Sequence, residues 1–337
     1  MRFALSTEQL DFAAELRKIL DAGQVPAAVR AWAAGDPAKG QALLGQLAEM
    51  GVFGLIVDEK YDGADATPVD LVVALIELGR AALPGPVIES AAVLPALLQR
   101  LPDGDIAQRY LPALAAGAQL GTITFDDPQR GIALDADTAD LVLVAAGDRV
   151  TATSPAATEA AIASVDPARK LARVTADTLI AEGPEVEAAI AYAFDVGVLA
   201  CAAQLLGAGR AILDQTVAYA KQRKQFGRVI GEFQAVKQQL ADVLIGLELA
   251  EPLVYRAALT LDSADRSRDV SAALVACADA AHRAARAGLQ VHGAIGYTAE
   301  CDLSLWLTKV TALRTAWGTA DFHRARIGAA LRSAEAV

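Results

Sequence analysis

Two segments of the chain concentrate side chains that hold phosphates and sugars. In 221-KQRKQFGRVIGEFQAVKQQLAD-242, the planar guanidinium of Arg223 can donate to two oxygens of a pyrophosphate at once, while Gln225 and Gln234 can hydrogen-bond phosphate or ribose. In 290-QVHGAIGYTAECDL-303, Gly293 lacks the Cβ that would keep a ligand away from the backbone. A plainer reading makes Arg223 and Lys224 a solvated cluster at a helix end, and Phe226 and Phe233 core residues. For Arg223, Gln225 and Gln234 together the binding reading is the better one; for the two phenylalanines core packing is at least as good. His292 reads as a backbone-bonded histidine without a chemical role. Cys201, Cys277 and Cys301 are odd in number and far apart, and with His282, His292 and His323 they form no ligand spacing, so neither a disulfide nor a metal site is expected.

These segments need helices to carry them. Ser6 followed by Gln9 makes a capping box, and Leu10, Ala13, Leu16 and Leu20 recur at helical spacing behind it. Further helices are expected from about 40 to 50, 68 to 81 and 87 to 100, with 57-VDEKYDG-63 as a loop. From about 116 to 184 the texture changes to short β-favouring runs: 121-GTITF-125, 140-DLVLVA-145, 148-DRVTA-152 and 177-DTLIA-181. Helical texture returns at Glu185 and holds almost to the end, with Pro252 expected to kink its helix.

Charge and hydropathy exclude several classes. Thirty Lys and Arg against 41 Asp and Glu leave a net charge of −11, the wrong sign for nucleic acid or an anionic membrane surface. The apolar stretch from Val196 to Gly209 falls short of a membrane span and reads as a buried helix. Residues 1–12 lack the basic start and apolar run of a signal peptide, so the chain is expected in the cytoplasm.

The segment 221–242 resembles the R-K-x-F-G-x-x-I-x-x-F-Q-x-x-x-x-x-L-A-D signature of acyl-CoA dehydrogenases, flavoenzymes that oxidise the Cα–Cβ bond of an acyl thioester. The segment 290–303 is similar to their Q-x-x-G-G-x-G-[FY]-x-x-[ED] motif, and 51-GVFGLIVDEKYDG-63 with 71-LVVALIELGR-80 is also family-like. The resemblance covers most of the chain. It implies a mainly α fold with a small β domain: an N-terminal helical domain over 1–115, a truncated β domain over 116–184 and a C-terminal four-helix bundle over 185–337. It further implies that Arg223, Lys224, Gln225, Phe226, Phe233, Gln234, Gln290, Val291, His292, Gly293 and Ala294 hold the ADP half of an FAD whose ring sits mainly in a neighbouring subunit.

The departures from the family pattern carry as much information. Phe125, Asp126, Asp127 and Pro128 stand where the family has the T-E-P-x-x-G-S-D loop against the flavin ring, and the strand expected before Asp140 is missing. Two acids there would also disfavour an anionic reduced flavin. Abstracting a proton α to the thioester needs a carboxylate within reach. Of the two positions at which the family places that Glu, one holds Trp317, and an ungapped count back from Lys224 puts Gly197 and Val198 at the other. Asp195 is two residues from that second position, about 200° around a helix, and reads better as an acid at a helix N-terminus. Glu248 and Glu251 read as solvated or ion-paired.

The resemblance therefore implies the catalytically silent subunit of a heteromeric acyl-CoA dehydrogenase, with no catalytic residue of its own. Its expected partner is a longer subunit that carries the Glu and binds most of the acyl-CoA. Steroid side-chain thioesters form the implied substrate class, and electron-transfer flavoprotein is the implied acceptor. Two alternatives stand beside it: a self-sufficient homo-oligomer with a displaced base such as Asp195, and a scaffold that binds no flavin.

Overall fold

The computed structural model describes residues 3–125, 131–153 and 158–335. Its N-terminal part consists of helices α1 (Thr7–Ala22), α2 (Val25–Ala33), α3 (Ala38–Glu49), α4 (Pro68–Arg80), α5 (Leu94–Leu98) and α6 (Gly104–Ala115). The Ser6–Gln9 capping box forms as expected, each residue's side chain bonding the other's backbone N–H. Arg17 of α1 grips the buried Glu77 of α4 through two bonds of 2.9 and 2.6 Å, which fixes α1 on the core. The helix expected over 87–100 divides: Glu89–Val93 is a π-helical turn, closed by the Leu94 N–H on the Glu89 carbonyl, and α5 follows. Pro95, which has no N–H to donate, stands just beyond that turn.

Among the described residues seven strands follow: β1 (Gly121–Thr124), β2 (Gly131–Leu134), β3 (Leu141–Ala146), β4 (Arg149–Ala152), β5 (Thr158–Ile162), β6 (Leu171–Val174) and β7 (Thr178–Glu182). They form a four-stranded sheet, β1-β3-β4-β7, in which only β1 and β3 are parallel, and an antiparallel sheet, β2-β6-β5. Small apolar side chains, Ala133, Val142, Val144, Ala172 and Val174 among them, fill the space between the sheets. The strand thought missing before Asp140 is present as β2; alanine and glycine in 131-GIAL-134 hide its β character. Asp126, Asp127 and Pro128 lie outside the described residues.

The C-terminal part holds α7 (Pro184–Gln222), a short hairpin of β8 (Lys224–Gln225) and β9 (Arg228–Val229), α8 (Gln234–Leu259), α9 (Arg266–His292), α10 (Leu303–Ala316) and α11 (Ala320–Glu335). Helix α7 is the spine. Every residue from Asp195 to Gly209 is buried, because α4, α8, α9 and α10 pack around it on all sides. It is long and apolar enough to cross a membrane, yet 78% of its most apolar window is covered by the rest of the chain. Helix α8 runs through Pro252 as one element.

Candidate functional site

The two phosphate-suited segments meet where α7 and α9 end side by side. Tyr219, one turn before the end of α7, stacks on His292 at the end of α9 with ring centroids 4.2 Å apart. The His292 Nδ1–H donates to the Gly288 carbonyl at 2.8 Å, the backbone bond expected of it, and burial lowers the pKa of the ring, keeping it neutral. Beyond α7, Arg223 caps the helix and the chain reverses in a two-residue turn. Phe226 and Gly227 both have positive φ, 52° and 81°, as a type I′ hairpin requires. Glycine takes that conformation freely, whereas phenylalanine is strained in it.

Phe226 points outward: it is 91% exposed, so of its two readings, core packing and cofactor contact, the first does not hold. Phe233 is half-buried, edge-on to Phe226 at 6.2 Å and beneath the Arg228 guanidinium at 4.3 Å. Arg223, Lys224, Gln225, Gln234, Gln290, Gly293 and Ala294 are exposed, and Val291 is half-buried. Among them lies the start of α8, a helix of 26 residues whose N-terminus has no side-chain cap and no acid in its first turn. Free N–H groups and the positive end of a helix dipole beside Arg223 and Lys224 fit a pyrophosphate. On this side the residues fit the ADP half of FAD, as an open surface.

The ring-side residues come together elsewhere, around a cavity of about 850 Å³ between the β domain, α7 and the end of α10. Helix α10 is held there by a buried Lys309, whose Nζ donates to the Leu83 carbonyl at 2.7 Å, and by Trp306, whose Nε1 donates to the Arg80 carbonyl at 2.8 Å. Burial lowers the pKa of Lys309. Phe125, Phe194 and Trp317 line the cavity and pack edge-on, with Phe125 5.5 Å from Phe194 and 5.7 Å from Trp317. Trp317 lies against Gly197, leaving no room for a Cβ at position 197. The two positions at which the resemblance puts the catalytic Glu are therefore one place in the fold, occupied by an indole.

Asp195 is not part of this cavity. It lies about three turns inside α7, not at a helix N-terminus, and is buried between Arg266 and Arg326 at 2.9 and 2.5 Å. Glu248 and Glu251 are ion-paired as expected, on Arg210 at 3.5 and 2.8 Å. One carboxylate that the sequence reading missed does line the cavity among the described residues: Glu89, on the π-helical turn. It is 4% exposed, its Oε2 has no hydrogen-bond partner, and burial raises its pKa against the smaller pull of Arg169 and Lys309. A π-helical turn is often a functional feature, but no sequence pattern announced this one.

An N-terminal helical domain, a two-sheet β domain and a C-terminal bundle with a nucleotide-suited surface define an acyl-CoA dehydrogenase fold. The chain matches the N-terminal domain of acyl-CoA dehydrogenases over residues 6–118 and their C-terminal domain over residues 188–332, and it belongs to that family. It is 32% identical to the acyl-CoA dehydrogenase IpdE2 of Mycobacterium tuberculosis over 286 residues, 84% of this chain and 85% of that one. The ChsE4–ChsE5 complex from Mycobacterium tuberculosis superposes with a TM-score of 0.84 at 22% identity, covering 98% of this chain and 99% of that one. A Tcur3481–Tcur3483 steroid acyl-CoA dehydrogenase variant superposes equally, at 0.84 and 21% identity, with the same coverage.

Proposed function

We propose that the chain is the silent subunit of a heteromeric, FAD-dependent acyl-CoA dehydrogenase of the cytoplasm. The observation that carries this reading is the packing of Trp317 on Gly197, which fills both positions of the family's base with groups that cannot take a proton. The open ADP-side surface supports it, because Phe226 held outward at positive φ is a contact awaiting another chain. Arg223, Lys224, the start of α8, Gln225 and Gln234 would hold pyrophosphate and ribose; Gln290 to Ala294 would supply backbone beside them. The bound flavin would accept hydride from the β carbon of a substrate deprotonated by the partner's Glu. Electron-transfer flavoprotein is the proposed acceptor. Steroid side-chain CoA thioesters are the proposed substrates, by similarity to the steroid enzyme above.

The test is co-purification. Alone, the chain should be colourless or substoichiometric in FAD, and with its partner it should carry flavin. Arg223→Ala should abolish FAD retention in the complex while the chain melts unchanged, since an exposed Arg seldom contributes more than about 1 kcal/mol to stability. Stoichiometric FAD in a homo-oligomer, or unchanged flavin in the mutant complex, would overturn the reading. Glu89 favours a second reading, a self-sufficient enzyme with a displaced base. That reading requires acyl-CoA-dependent acceptor reduction by the chain alone, lost in Glu89→Gln.

A further inference from the structure

The loop that follows α9 offers backbone to the ADP-side surface, so its own order decides what it can hold. It runs from Gly293 to Asp302, opens at a glycine with a φ of 67° and continues as a 3₁₀ turn over Gly293–Tyr297. Ile295 and Tyr297 on that turn are 45% and 68% exposed. The loop's own ties are short-range: the Thr298 hydroxyl donates to the Ile295 carbonyl at 2.9 Å, and the Ser304 hydroxyl to the Cys301 carbonyl at 2.9 Å. A loop held only by bonds of this kind is ordered by its ligand, and the entropy lost in that ordering is subtracted from affinity.

Among the described residues, one side chain from the N-terminal part of the chain hydrogen-bonds this loop. Arg30 of α2 donates from Nη2 to the Ala299 carbonyl at 3.0 Å, and its Nη1 lies 2.7 Å from Asp302 Oδ1. Both guanidinium nitrogens are thus spent on the C-terminal end of the loop. Asp302 shows the same commitment from its side. It stands at the N-cap of α10, where an Asp ordinarily accepts from the first N–H groups of the helix, yet its carboxylate caps nothing and turns to Arg30. The base beneath Arg30 is rigid: Val25, Ala28, Val29 and Trp32 of the same helix are buried, and the Trp32 indole donates to Asp135 of the β domain at 3.0 Å.

We infer that Arg30 is a positioning residue for the cofactor surface: from α2 it fixes the far end of the 293–302 loop, so that the backbone at Gly293 and Ala294 meets the ADP half of FAD already ordered. The Thr298–Ile295 bond carries that restraint back to the turn. The inference rests on the cofactor reading above. An exposed ion pair adds little to the stability of a whole chain, so its effect is expected in the local order of the loop and in what the loop binds.

In the assembled complex Arg30→Met should weaken FAD by about three- to tenfold, read from the flavin fluorescence released on dilution. Arg30→Lys keeps the charge and should restore the affinity to within about twofold of wild type. The melting temperature of the isolated chain should move by less than about 2 °C in either variant. Hydrogen exchange in the isolated chain needs no flavin, and in Arg30→Met it should quicken by about threefold or more across residues 295–302. Arg223→Ala runs alongside. If that variant loses its flavin while Arg30→Met holds FAD as tightly as wild type, Arg30 does not position the surface. If Arg223→Ala keeps its flavin, the cofactor reading has failed and this inference falls with it. Unchanged exchange in the loop, a Lys variant as weak as the Met variant, or a melting temperature lowered by about 5 °C or more would also overturn the proposal.

Discussion

Replacing Asp195 by Asn separates structure from chemistry at the acid that lies two residues along the chain from an expected base position. The carboxylate is 2% exposed and accepts from Arg266 Nε at 2.9 Å and Arg326 Nη2 at 2.5 Å. Asn keeps the shape but removes the charge, leaving two guanidinium groups facing a neutral amide. Breaking one side of a buried ion pair costs about 3–5 kcal/mol. The arginines are 28% and 21% exposed and can partly rehydrate, which points to the lower end of that range, about 3 kcal/mol. For 337 residues the unfolding entropy is about 0.7 kcal/mol/K, so the melting temperature should fall by about 4 °C. Differential scanning calorimetry on the isolated chain measures this, and Asp195→Asn/Arg326→Gln should lose less than the two single variants summed. In the assembled complex, acyl-CoA-dependent reduction of an artificial acceptor should stay within a few-fold of wild type, whereas loss of a general base costs about 10²–10⁴ in rate. An unchanged melting temperature would refute the ion-pair argument. A hundredfold or larger loss of rate with FAD still bound would make Asp195 the base.

Gly197→Ala should destabilise the chain by about 1–3 kcal/mol, because the new methyl meets the Trp317 ring; Trp317→Ala should relieve most of that penalty, and additive melting shifts would show that the two do not touch. Asp135, buried with Oδ1 on the Trp32 indole N–H at 3.0 Å, has its pKa raised to about 7, chiefly by burial. The folded state therefore holds this proton more tightly than the unfolded chain. Stability from it is present below about pH 4 and lost progressively up to about pH 7, a loss of about 4 kcal/mol. Asp135→Asn cannot ionise, keeps an oxygen for Trp32 and tolerates the φ of 48° at this position, so its stability relative to wild type should be higher at pH 8 than at pH 4. The same relative stability at both pH values would sink the argument.

What the sequence disclosed was local. The capping box at Ser6 and the β runs that became β1, β3, β4 and β7 each depend on residues a few positions apart. Helices α2 and α6 escaped notice, the first starting behind a left-handed Gln24 and Pro26, the second containing Pro112. Strands β2, β5 and β6 escaped because alanine and charge dilute their β character. The core reading of Phe226 failed for a related reason: an aromatic beside glycine looks like core until the turn shows both residues at positive φ, with the ring held outward.

The cavity is the opposite case. Glu89, Phe125, Phe194, Arg314 and Trp317 come from widely separated parts of the chain, and no spacing rule connects them. Counting along family motifs did reach Gly197 and Trp317, yet as two separate departures. Packing makes them one, since an indole at 317 fits only where 197 has no side chain, and any side chain at 197 requires something smaller than tryptophan opposite. On the proposed reading, a base at 197 is thus excluded while Trp317 stands: Gly197→Glu alone would press the new side chain against the Trp317 ring and should not restore catalysis.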